Sequence, residues 1–64
     1  MFKLIERVRG HKSLRALKAD WVRNIAPALK RLPADDRQEV INNYIMECEG
    51  FKFFGPLYKQ ADQG

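Results

Sequence analysis

Apolar residues three or four positions apart run through the first half of the chain, and this stripe limits what the chain can fold into. Its members are Leu14, Leu17, Trp21, Ile25, Ala28 and Leu32. Such spacing places them on one side of an α-helix. The stripe therefore predicts an amphipathic helix that buries one face.

Glycine and proline divide this half of the chain. The segment Phe2 to Arg9 is apolar on one side, and Gly10 follows it. A glycine after a basic last turn commonly ends a helix, and Ser13 can cap the helix that follows. Pro27 removes one helical hydrogen bond and crowds the preceding turn. We therefore expect a kink or break from Asn24 to Ala26. Asn24 is expected to cap the helix that begins again after it.

Another helix is predicted after Pro33. Asp36 and Glu39 have capping-box spacing, and carboxylates near a helix N-terminus are favourable. Gly50 is expected to end this helix. Its apolar stripe comprises Val40, Ile41, Tyr44, Ile45 and Cys48. Because the connection at Pro33 is short, we expect this stripe to pack antiparallel on Leu17 and Trp21 and to form the core with them.

These elements predict an all-α fold, a small three-helix bundle with a kink near Pro27 and an aromatic C-terminal tail. A short extra N-terminal helix is compatible with it. The whole chain, 1–64, is interpreted as a single domain with a basic half (1–32), an acidic helix (33–50) and the tail (51–64). A domain of about 60 residues buries only about 60% of its unfolded surface. One cysteine cannot form an internal disulfide, so a homo-oligomer or a larger partner is expected to add stability.

Charge is distributed unevenly between the two halves. Residues 1–32 carry nine basic and two acidic side chains, a net charge of +7, whereas residues 33–64 carry three basic and six acidic ones, a net charge of −3. The basic half therefore favours an acidic partner from outside the chain. We expect that partner to be the acidic surface of a larger protein. The predicted contact residues are Arg9, Lys12, Arg15, Arg23, Lys30, Phe53, Phe54 and Tyr58.

Nucleic-acid binding is the alternative function, because the same Lys and Arg side chains could meet phosphates. Residues 35–49 would make a poor reading helix, since five acidic residues and one arginine would repel it from a groove. A third reading is that the basic residues form only a solvated helix face.

The tail is rich in aromatic residues and has two interpretations. Its aromatic side chains either complete a small core or dock into a partner, because interfaces are enriched in aromatic residues and arginine. We expect Phe51 and Leu57 to pack inward, and at least one of Phe53, Phe54 and Tyr58 to stay exposed.

Catalysis is not expected from this sequence. His11 and Cys48 could form a dyad only if the fold joined them, and no orienting group is recognisable. No Cys/His spacing predicts a metal site, and no motif predicts a cofactor. No apolar run approaches the roughly 20 residues of a membrane span, and no secretory signal is evident, so the expected location is the cytoplasm. A free-standing chain of this size is typical of accessory proteins from phages or mobile elements, or of small assembly subunits.

Overall fold

The structure, a computed structural model, describes residues 2–55 and residue 58. Its helical elements are α1 (Phe2–Arg9), α2 (Leu14–Asp20), a π-helical turn (Trp21–Ile25), α3 (Ala26–Leu29) and α4 (Ala34–Phe54). Residues 14–29 are helical without interruption, so the described part of the chain is a bundle of three helical segments. The predicted all-α class is confirmed.

The two N-terminal boundaries are as predicted. α1 ends at Arg9, and a turn at Gly10 follows. The hydroxyl of Ser13 accepts a hydrogen bond from the backbone N–H of Ala16 at 3.2 Å, which caps α2. α1 packs mainly against α4 and also contacts the π-helical turn.

Pro27 widens the helix that precedes it without breaking it. The N–H of Ala26 donates to the carbonyl of Trp21, five residues back, which is π-helical bonding. The predicted distortion is present, but the predicted capping role of Asn24 is wrong. Asn24 lies inside the π-helical turn, and its side-chain amide donates to Asp20 at 2.7 Å.

The wider turn keeps the apolar stripe in line. Leu17, Trp21, Ile25 and Leu29 follow one another at intervals of four residues. In a regular helix of 3.6 residues per turn, each such step overshoots one turn by about 40°. A π-helical turn takes up more residues per turn and offsets part of this drift. Leu17, Ile25 and Leu29 are consequently buried together.

α4 differs from its prediction at both ends. It begins at Ala34 without a side-chain cap, so the predicted capping box is wrong and Asp36 lies in the first helical turn, where its charge favours the helix N-terminus. The helix also continues through Gly50 to Phe54. It ends at Gly55, whose φ of 84° is the left-handed conformation that favours glycine.

Gly50 has a packing role that its position in the sequence did not indicate. The ring of Tyr58 lies against it, and a Cβ at residue 50 would sit 2.6 Å from Cζ of that ring. Glycine leaves room for this close approach, and the predicted helix end at this residue is wrong.

The core is built from Val8, Leu17, Ile25, Leu29, Val40 and Phe51. Trp21 and Tyr44 are half-buried and stack with their ring centroids 4.0 Å apart and an interplanar angle of 20°. They lie at similar chain distances before and after Pro33, which is the pairing of an antiparallel helical hairpin. Ile41 is half-buried as well.

Ile45 does not belong to the core, because 47% of it is exposed. It follows Tyr44 directly, and one residue turns a helix by about 100°, so both cannot face the same neighbour. Phe51 is buried as predicted, and Phe53 and Phe54 are exposed. The prediction for Leu57 falls outside the described residues.

Candidate functional site

The predicted basic residues are all exposed. Arg9 lies at the end of α1 and Lys12 in the connection that follows, whereas the others lie on or directly after the helical segment of residues 14–29. Arg15, Lys18 and Val22 are three and four positions apart, so they share one side of it, turned away from the buried stripe. We define the basic face as Arg15, Lys18, Val22, Arg23 and Lys30.

Val22 is an unexpected member of the basic face. It is 71% exposed although it is a branched aliphatic residue in the middle of a helical segment. Single exposed apolar residues are common on protein surfaces. Here Lys18, four positions earlier, and Arg23, the next residue, are exposed cations, so an apolar side chain lies beside basic ones.

Asp20 lies beside this face, but its carboxylate is already hydrogen-bonded to other residues of the chain. Its carboxylate accepts hydrogen bonds from Arg7 Nε at 2.7 Å and Nη2 at 2.8 Å, and from Asn24 Nδ2 at 2.7 Å. His11 Nε2 lies 2.8 Å from Oδ2. These contacts join α1, the connection after it, α2 and the π-helical turn, and only 10% of the Asp20 side chain stays exposed.

The same contacts shift the protonation equilibria of this cluster. Hydrogen bonding from Arg7, with smaller contributions from Asn24 and His11, holds the pKa of Asp20 well below its usual range, although burial acts in the opposite direction. The hydrogen bond and the negative charge of Asp20 raise the pKa of Arg7 in turn. Asp20 is therefore a carboxylate at neutral pH and is paired with a cation of its own chain.

An open hollow of about 460 Å³ lies over this cluster. Its lining residues are Arg7, Gly10, His11, Ala16, Ala19, Asp20, Arg23 and Asn24. This lining offers hydrogen-bond donors and charge but, among the described residues, no hydroxyl or thiol that His11 could activate. Such a hollow can bind polar groups, and Arg23 belongs both to its lining and to the basic face.

Cys48 has different neighbours from His11. It contacts Tyr44, and burial together with a hydrogen bond to Cys48 raises the pKa of the Tyr44 phenol. Within residues 2–55 and residue 58, no three His, Cys, Asp or Glu side chains come together to hold a metal ion.

The aromatic contact residues lie together around a second hollow of about 320 Å³. Its lining residues are Met46, Glu47, Glu49, Gly50, Phe53, Phe54 and Tyr58, and we call it the aromatic hollow. Tyr58 forms one wall: its hydroxyl donates to Glu47 Oε2 at 3.0 Å, and its ring meets Phe51 edge-on at 5.1 Å. Phe53 and Met46 are 74% and 65% exposed.

The predicted basic contact residues and the predicted aromatic contact residues lie on separate surfaces. None of the described residues that line the aromatic hollow is basic, and two of them are glutamates. The structure therefore brings Phe53, Phe54 and Tyr58 together, but with acidic neighbours and not with the predicted basic residues.

Sequence reasoning missed Val22, Met46 and the cluster around Asp20. The four-residue spacing of Asp20 and Asn24 was the one local signal for that cluster. Arg7 is thirteen residues from Asp20 in sequence, so their pairing depends on how α1 folds back.

No known protein family matches this chain, and no curated protein or solved structure is significantly similar to it. Among the described residues, no helix has the length and apolar character needed to span a membrane.

Proposed function

We propose that this chain is a small, non-catalytic binding protein whose basic face engages an acidic surface of a larger protein. It would serve as an accessory protein, an inhibitor or a small assembly subunit. One observation carries the proposal: an exposed apolar side chain, Val22, lies beside the exposed cations Lys18 and Arg23 on the outside of the helical segment. Interfaces combine an apolar centre with a polar rim, and arginine is enriched in them.

The cluster around Asp20 supports this proposal because it keeps the basic face positive. Asp20 is the only acidic residue between positions 14 and 32. Its carboxylate is bonded to Arg7, His11 and Asn24. Asp20 consequently does not neutralise the cations of the basic face, and their positive charge would steer association with an acidic surface.

The same cations could instead bind the phosphates of a nucleic acid. The exposed side chain of Val22 favours a protein partner over this alternative. Phosphate contacts need positive charge only and gain nothing from an exposed aliphatic side chain among the cations. A protein surface can bury that side chain.

A charge-reversal experiment tests the proposal. One variant carries Arg15→Glu, Lys18→Glu and Arg23→Glu, and a control variant carries Lys3→Glu, Arg37→Glu and Lys52→Glu. Both lose the same charge at exposed positions, and circular dichroism would verify that both stay helical. Each tagged chain is used to capture proteins from an extract of the cells that produce it.

We expect an acidic protein that the wild type and the control capture and the basic-face variant loses. Equal capture by all three chains would contradict the proposal. Titration with random duplex DNA at two salt concentrations examines the competing use. Tight binding would favour nucleic acid instead if the logarithm of the association constant falls with the logarithm of the salt concentration, with a slope of about −0.9 for each phosphate contact.

A further inference from the structure

The aromatic hollow exposes apolar side chains within an acidic helix. Met46 and Phe53 are mostly exposed, and Glu49 lies at the same hollow. α4 as a whole carries five acidic and two basic residues, a net charge of −3. An occupant of this hollow should therefore offer an apolar side chain flanked by cations.

The basic face of the same chain has this chemistry. Val22 is its exposed apolar residue, with Lys18 and Arg23 next to it and Arg15 further along the same side. The two surfaces lie on different elements and share no residue, so each molecule presents both members of a complementary pair.

We propose that the aromatic hollow docks the basic face of a second copy of this chain. The inference rests on the proposed function, since the same basic face binds both the second copy and the acidic partner. A second copy and the partner would then compete, and self-association would cover the basic face until the partner displaces it.

The size of the chain makes such an association useful. The exposed surface totals 4840 Å². A standard interface takes about 800 Å² from each partner, which is about a sixth of that area. A domain with six buried apolar core residues among those the structure describes has a thin core, and binding between folded copies stabilises the folded state.

The proposed contact joins two different surfaces, so it is heterologous. Such contacts close into a ring only when the rotation allows it, and otherwise they add further copies. The expected signature is therefore an average mass that rises with concentration. Because opposite charges meet at the contact, added salt should lower the association.

Sedimentation velocity on the full chain tests this inference. The loading range runs from about 10 to about 500 µM, which spans the affinities of small interfaces, at low and high salt. Phe53→Ser removes an apolar contact, and Glu49→Lys reverses the charge. Ile45→Ser is the matched control, because Ile45 is an exposed apolar residue of α4 outside the aromatic hollow.

We expect the wild type and the Ile45→Ser control to associate as concentration rises. Phe53→Ser and Glu49→Lys should each weaken this association at least tenfold without changing the helical content. A wild type that stays monomeric over the whole range at low salt would overturn the inference. So would equal weakening by Ile45→Ser and Phe53→Ser, or an association that salt does not lower.

Capture of the acidic partner separates the two proposals. Phe53→Ser should still capture it, because the basic face is intact. A monomeric wild type that captures an acidic protein overturns the self-association alone. Self-association without any such capture overturns the proposed function and supports the contact between copies.

Discussion

Replacing Gly50 with alanine should destabilise this protein, although alanine is the better helix former. Within a helix the exchange gains about 1 kcal/mol from propensity. Here the new Cβ would lie 2.6 Å from Cζ and 2.7 Å from the hydroxyl oxygen of Tyr58. The ring must move, and its contacts with the rest of the chain are lost.

The magnitude follows from those contacts. The hydrogen bond from the Tyr58 hydroxyl to the Glu47 carboxylate is worth about 1.5–3 kcal/mol, as is typical of bonds to charged groups. The edge-on contact with Phe51 adds about 0.5–1.5 kcal/mol. After the gain in propensity is subtracted, we expect Gly50→Ala to lower the free energy of unfolding by about 1–3.5 kcal/mol.

A double-mutant cycle in urea measures this directly. Gly50→Ala is compared in the wild type and in a Tyr58→Ala background, which has no ring for the Cβ to meet. The substitution should destabilise the first and stabilise the second by up to about 1 kcal/mol. Stabilisation in both backgrounds would refute the packing of Tyr58 on Gly50. It would also refute the assignment of Tyr58 as a wall of the aromatic hollow.

Two further changes test the core and the cluster around Asp20. Trp21→Ala should lower the free energy of unfolding by about 3 kcal/mol in urea, because the indole's packing on the core and its stack with Tyr44 are both lost. Ile45→Ala should change the free energy of unfolding by less than about 0.5 kcal/mol, and equal effects of the two substitutions would contradict the assignment of the core. The lowered pKa of Asp20 means that its contribution to stability is complete above the unfolded value of about 3.9 and is lost as the pH falls below it. Urea midpoints between pH 7 and pH 2 should therefore fall less steeply for Asp20→Asn than for the wild type, and parallel curves would contradict the cluster.

Local signals explain the parts of the fold that the sequence predicted. Gly10 and Ser13 act on their nearest neighbours, so the end of α1 and the start of α2 follow from a few residues. Pro27 likewise distorts the turn before it. The exposure of the basic residues was predictable as well, because charged side chains are rarely buried without partners.

Tertiary contacts explain the parts that the sequence did not predict. Gly50 resembles a helix end in isolation, and only the position of Tyr58 shows its packing role. Asp20 could have neutralised the basic face, and its pairing with Arg7 depends on the path of α1. The grouping of the tail aromatics with glutamates arises because α4 extends past residue 50, so that Met46 and Phe53 share one side of it.

Zero-length cross-linking of the captured complex tests the central claim most directly. A carbodiimide joins lysine amines to carboxylates that touch them, and mass spectrometry identifies the linked residues. The proposed function predicts links from Lys18 and Lys30, on the basic face, to aspartate or glutamate residues of the partner. Links confined to Lys3 and Lys52, which lie outside the basic face, would contradict it.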